Sequence, residues 1–198
     1  MDDIVKAAMA KWPDVPDCYG WLALDARGNW RMRDARCQAL NLPGDIIRHP
    51  ALINFINRNY TVDERGCWFF QNGPQRVYVD LETTPYILRT GILGMQTQTS
   101  EAFTDIDHAY IVEEGNIVFR SGHRLAQIDD RDLVEVLPYI WSGTKPADDE
   151  MLISYLDECS NPIDLMLHYK ELNMPLKKGK LQNLRQLCGI QAHPRPDV

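Results

Sequence analysis

The chain has 198 residues, 44% of them hydrophobic and 25% charged, which is enough apolar material for a continuous core and too much for a disordered chain. A net charge of −7 argues against a protein that works by neutralising phosphates, because nucleic-acid binding rests largely on Lys and Arg displacing counterions. No apolar run approaches the ~20 residues that cross a bilayer, so a membrane role is not expected.

The start, Met1-Asp2-Asp3-Ile4, is acidic where a signal peptide would be basic. Ile4, Val5, Ala8 and Met9 then recur at helical spacing, predicting a short amphipathic helix that stops before Pro13. Tyr19 to Leu24 reads as a strand. The stretch Asp25-Ala26-Arg27-Gly28-Asn29-Trp30 turns it back, with Trp30 and Met32 alternating against Arg31 and Arg33. The segment Asp34–Leu42 is ambiguous, Pro43-Gly44 breaks it, and Asp45 is a possible cap. Pro50 suits the first turn of a helix whose stripe is Leu52, Ile53, Phe55, Ile56 and Tyr60.

Asp63-Glu64-Arg65-Gly66-Cys67-Trp68 repeats the pattern of residues 25–30: Asp, any residue, Arg, Gly, any residue, Trp. The recurrence has a physical reason. Asp opens a type I turn by bonding backbone N–H groups ahead of it, and glycine three places on takes the left-handed conformation that starts the return strand. Each tryptophan then enters a strand where its ring can be buried.

Trp68-Phe69-Phe70 runs into the polar corner Gln71-Asn72-Gly73-Pro74-Gln75, and a strand follows in which Val77, Val79 and Leu81 oppose Arg76, Tyr78, Asp80 and Glu82. Thr83-Thr84-Pro85 ends it, and Tyr86-Ile87-Leu88 continues extended. Residues 90–100 are polar and glycine-bearing and read as an irregular excursion. Ile111 to Phe119, around Gly115-Asn116, suits a third hairpin with a two-residue turn. Asp129-Asp130-Arg131-Asp132 reads as an acidic helix start leading to Leu133, Val134 and Leu137.

From about Ser142 the pattern predicts helix alone. Pro146 and Asp148 introduce Met151, Leu152, Tyr155 and Leu156; Asn161-Pro162 opens Leu165, Met166 and Tyr169; Leu181, Leu184 and Leu187 end at Gly189. Lys177-Lys178-Gly179-Lys180 with Arg185 reads as a solvated charge run at a helix start. The expected fold is α+β: repeated hairpin-plus-helix units forming an antiparallel sheet over residues 1–142, and a helical segment over 143–198.

The run Trp68 to Val79, with Leu81-Glu82-Thr83-Thr84-Pro85-Tyr86 downstream, resembles the signature of uncharacterised bacterial families of domains of unknown function, over roughly residues 20–140. More distantly it resembles a group whose Gly-x-Trp hairpins recur as structural repeats. The resemblance implies repeated α+β units and a role in sensing or signalling, and it carries no catalytic residues.

Two functional readings follow. In the first, Gln71, Asn72, Gln75 and Arg76, beside Trp68, Phe70, Tyr78 and Tyr86, form a site for a small anionic ligand or a protein segment, with Arg76 as a fork for a carboxylate or phosphate. In the second, Asp105, Asp107 and His108, or His123, serve a metal-assisted hydrolase or transferase, with Asp105 and Asp107 on one strand face. His49 and His168 have no spaced partner. The five cysteines, Cys18, Cys37, Cys67, Cys159 and Cys188, lack the short paired spacing of zinc or redox sites. No Gly-x-Ser-x-Gly elbow or phosphate loop occurs, which favours the binding reading over the enzyme without removing the latter. The acidic start and unpaired cysteines lead to the expectation of a cytoplasmic protein, with no cofactor assigned.

Overall fold

A computed structural model describes residues 2–92, 94–157 and 164–196. The chain divides into two compact units: residues 1–85 with 189–198, and residues 86–188. The division expected after residue 142 falls inside the second of these.

The first unit begins with helix α1 (Asp3–Lys11), then strands β1 (Cys18–Leu24) and β2 (Trp30–Met32), helix α2 (Ala35–Ala39), strand β3 (Asp45–Ile46), helix α3 (Pro50–Arg58), and strands β4 (Tyr60–Val62), β5 (Trp68–Asn72) and β6 (Gln75–Leu81). Asp34 caps α2 by accepting from the Cys37 N–H, and His49 caps α3 by accepting from Leu52 N–H, with Pro50 at the first position. Asp45, the cap suggested by sequence, lies in β3 instead.

These strands form a six-stranded sheet in the order β3-β2-β1-β6-β5-β4. Its central pair, β1 with β6, is parallel, so the sheet is mixed rather than antiparallel. β6 is buried on both sides: Val79 and Leu81 lie on one face, Tyr78 and Asp80 on the other.

The hairpins β1–β2 and β4–β5 are built alike. Asp25 Oδ1 accepts from the N–H groups of Arg27 and Asn29 at 3.0 and 2.8 Å, and Asp63 Oδ1 accepts from those of Arg65 and Cys67 at 3.0 and 2.9 Å. Gly28 and Gly66 both take φ +77°. Leu24 pairs with Trp30, and Val62 pairs with Trp68 in the same register.

Residues 189–192 run alongside. Gln191 N–H donates to Gly66 O at 3.0 Å, and Leu81 N–H donates to Ala192 O at 2.8 Å. The approach is so close that a Cβ on Gly66 would lie 1.7 Å from Gly189 O.

The second unit holds β7 (Tyr86–Gly91), β8 (Gly94–Thr97), β9 (His108–Val112), β10 (Ile117–Ser121), β11 (Arg124–Ile128), helix α4 (Leu133–Val136) between two 3-10 turns, β12 (Ile140–Ser142), β13 (Lys145–Pro146), helix α5 (Asp149–Leu156), β14 (Leu165–Tyr169), β15 (Leu172–Gly179) and helix α6 (Leu181–Leu187). They make a nine-stranded sheet, β13-β12-β14-β15-β9-β10-β11-β7-β8, with parallel pairings at β15/β9 and β11/β7. Leu88 and Met95 share one apolar cluster with Leu165, Leu167 and Tyr169 from the other end of that strand order, so the sheet curls around a common core. Leu152, Tyr155 and Leu156 of α5 pack against it.

The structure departs from the sequence pattern in four further places. Residues 90–100 are largely the β7–β8 hairpin, because Met95 and Thr97 point inward while Gln96 points out. The third hairpin closes through a three-residue loop, with Gly115 N–H on Val112 O and Gly115 at φ +80°, the backbone of the two Asp loops without the carboxylate. The all-helical C-terminal segment does not exist: Leu165–Tyr169 alternates buried and exposed residues at period two and forms a strand. Lys177, Lys178 and Gly179 belong to β15, where Lys178 Nζ donates to Leu156 O at 2.6 Å. The expected opening of that stretch at Asn161-Pro162, like Cys159, lies outside the described residues.

Candidate functional site

The β5–β6 hairpin distributes the residues singled out by sequence. Gln71 pairs with Arg76 and Asn72 with Gln75 across a Gly73-Pro74 turn. Alternation then sends Trp68 and Phe70 to the face covered by α3, where Phe70 meets Phe55 edge-on at 5.3 Å. Phe69, Gln71, Arg76 and Tyr78 take the opposite face. Tyr86 belongs to the second unit, 6.4 Å from Phe103 and under the Arg124 guanidinium at 4.9 Å. Asn72 is exposed.

Tyr78 is a structural anchor. Its ring stacks on Tyr19 at 4.5 Å, its hydroxyl donates to Asp63 Oδ2 at 3.0 Å and accepts from Arg65 at 3.1 Å, and burial pushes its phenol up. Arg76 lies over the Phe69 ring at 5.0 Å. The Tyr78 hydroxyl first, then the fields of Asp17 and Asp63, strengthen the hold of Arg76 on its proton.

Gln71 and Arg76 line a cleft of about 500 Å³ whose other walls include Met9, Trp12, Val15, Asp17 and Pro74. The linker after α1 is held there by Gln75, whose Nε2 donates to Pro16 O at 3.0 Å. Gln71 is 1% exposed; its Nε2 donates to Gly73 O at 2.9 Å, while its Oε1 is buried and meets no donor among the described residues. A buried acceptor left without a donor costs about 1–3 kcal/mol, so this geometry favours whatever supplies one. Sequence reasoning missed the linker. Its signal was Trp12-Pro13 and Val15-Pro16: two prolines stop the helix and fix a turn at Pro13-Asp14, beside a Trp12 that is half-exposed.

A second, smaller cleft of about 230 Å³ is lined by Arg31, Arg33, Asp80, His193 and Arg195 among others. Its charges already satisfy one another. Arg33 donates to Asp80 Oδ2 at 2.5 Å, Arg195 to Asp80 Oδ1 at 3.2 Å, and Arg31 to Asp25 Oδ2 at 2.8 Å.

The Asp105–His108 stretch does not assemble as the metal reading requires. Asp105 sits at φ +55° ahead of β9, not on a strand, so it shares no strand face with Asp107. Asp107 accepts from Arg120 at 3.0 Å and from Gly122 N–H at 3.1 Å; burial raises its carboxyl, but those bonds hold it below the usual range. Burial, then Arg120 and Lys177, pull His108 down. His123 is exposed in the β10–β11 turn. Among the described residues no group of three or more His, Cys, Asp or Glu is placed to hold a metal ion. No described helix is long and apolar enough to cross a membrane.

Fold and site together define an α+β protein of two compact units, the first of which carries an open, mixed polar and aromatic cleft. The family model DUF2944, described as "Protein of unknown function (DUF2946)", matches residues 1–195, and the chain belongs to that family. Comparison with curated proteins gives no match. Among solved structures the chain is similar to a DUF1285 family protein from Silicibacter pomeroyi DSS-3, at 12% identity over 87% of each chain with a TM-score of 0.49, a likeness too distant to argue from.

Proposed function

We propose that the protein is a binding module for a small organic anion, serving sensing or signalling, and that the cleft beside the β5–β6 hairpin is its site. The observation that carries the reading is the pairing of Arg76 with Gln71 on one sheet face at that cleft. A planar guanidinium fixed over Phe69 offers a fork to a carboxylate, and the buried Gln71 Oε1 offers an acceptor to a ligand N–H or O–H. Trp12, Met9 and Val15 supply apolar wall, and Asp17 would favour a ligand that also bears a donor. A small carboxylic acid with an amino or hydroxyl group fits this set.

Thermal-shift titration with amino acids and hydroxy acids tests the proposal, followed by calorimetry on any that bind. At least one acid should raise Tm in the parent chain. Arg76→Met should weaken its binding at least tenfold, and Gln71→Leu should weaken binding without lowering the Tm of the free protein by more than a degree or two. The proposal fails if no acid binds, or if the acid that binds does so equally well after Arg76→Met.

A further inference from the structure

We infer that the second unit carries its own ligand site, which takes a small organic amine with an apolar body. A cavity of about 560 Å³ lies between β8, the segment 102–106 and the β14–β15 turn. Its floor is Met95 and Phe103, which are 6% and 4% exposed and belong to the main apolar core of the unit. Ile106, Tyr169 and Leu172, which line it further, pack on that same core. The volume and the apolar lining are those of pockets that enclose small organic molecules.

The rim decides the charge of the occupant. It carries two carboxylates, Asp105 and Glu171, and one ammonium, Lys170. Lys170 Nζ is already bound to Gly91 O and lies 5.3 Å from the Tyr169 ring centroid. Asp105 accepts only from the Thr104 hydroxyl, at 2.9 Å, and neither carboxylate has a basic side chain within ion-pair distance among the described residues. A cation entering the mouth therefore meets two unneutralised carboxylates, while its hydrocarbon meets the floor. The net charge of −7 acts in the same direction by drawing cations toward the surface. Asp105 and Lys170 at this rim both take the left-handed conformation, at φ +55° and +52°.

The inference is separable from the anion site because the two sites lie in different units and call for ligands of opposite charge. Calorimetric titration of the full chain with n-hexylammonium, 1-hexanol and hexanoate tests it. Hexylammonium should bind tightest, hexanol about tenfold more weakly, and hexanoate weakest. The double substitution Asp105→Asn with Glu171→Gln keeps a residue tolerant of positive φ at 105 and should erase the preference for the amine over the alcohol. Ala102→Trp, at an exposed position on the cavity wall, should abolish binding of all three. The inference is overturned if none of the three binds, if hexanoate matches hexylammonium, or if the double variant binds hexylammonium as the parent does.

Discussion

Trp30 and Trp68 reach the same tyrosine: the Trp30 ring meets Tyr60 edge-on at 5.0 Å, and the Trp68 ring meets it tilted at 4.9 Å. Two bends of one design, far apart in sequence, deliver their indoles to a single aromatic cluster, and both tryptophans are buried. Tyr60 opens β4, and its hydroxyl donates to Pro85 O at 3.1 Å. Aromatic pairs of this geometry contribute about 0.5–1.5 kcal/mol each beyond the area they bury.

Tyr60→Ala should therefore destabilise the protein by about 3–5 kcal/mol, as other large aromatic truncations do. Tyr60→Phe keeps both ring contacts and should cost only about 1 kcal/mol for the lost hydrogen bond. Urea denaturation of the two variants measures the difference. Equal losses would mean that the hydroxyl, not the ring, holds the cluster.

Gly66 and Gly143 separate two reasons for glycine. Both lie at positive φ, +77° and +61°. An added Cβ at Gly143 meets nothing within 4 Å, whereas at Gly66 it meets Gly189 O at 1.7 Å. Gly143→Ala should cost about 1–2 kcal/mol of backbone strain alone. Gly66→Ala must also displace the 189–192 segment, losing its bonds to Gly66 O and Leu81 N–H, and should cost at least twice as much. Chemical denaturation compares the two directly.

Acid should destabilise the protein through Asp63 and Asp132. Burial raises both carboxyls, but bonds from Cys67 N–H, the Tyr78 hydroxyl and Arg65 at Asp63, and from Arg89 and Thr90 N–H at Asp132, hold both below the usual carboxylate value. A folded pKa depressed below the unfolded value of about 3.9 gives stability that is present above that value and lost as pH falls through the folded pKa. Unfolding free energy should thus be level above about pH 5 and fall below about pH 4. Asp63→Asn and Asp132→Asn should each lower stability at pH 7 and flatten the acid limb. Urea titrations across pH 2–7 would refute this if the variants kept the parent's slope.

Much of this architecture was legible where the pattern is local. The helical spacing of Ile4 to Met9, Pro50 followed by the stripe from Leu52, and Asp148 ahead of Met151 each mark a helix that is present, although the second ends at Arg58 and Tyr60, counted in its stripe, opens β4 instead. The repeated Asp-x-Arg-Gly-x-Trp marks two loops of one geometry, because the bonds that make them lie within five residues. Leu165–Tyr169 fits a helical stripe as well as a strand, because four of its five side chains are large and apolar or aromatic, and the deciding neighbours are β12 and β15. The candidate site was half legible. The β5–β6 register fixes Gln71 beside Arg76, but the wall opposite comes from the Trp12–Asp17 linker, which the strand pattern does not announce. Tyr86, grouped with that corner on sequence proximity, falls in the second unit, which begins after Pro85.

Least legible of all was Asp80, whose partners lie 47 and 115 residues away. Its carboxylate is held by Arg33 and Arg195, and the Arg33 and Asp80 side chains are only 10% and 6% exposed. Removing one member of such a buried pair strands the other, at about 3–5 kcal/mol, whereas replacing both with apolar groups leaves no orphaned charge. Asp80→Leu and Arg33→Met should each cost about that much, and the double variant should recover a large part of the loss, on the order of 2 kcal/mol relative to the sum of the singles. Recovery should be incomplete, because Arg195 also loses its partner when Asp80 is removed. A double-mutant cycle by guanidinium denaturation reads this coupling; strictly additive losses would show that Arg33 and Asp80 act independently and that the 189–198 segment, not the cross-sheet pair, is what Asp80 secures.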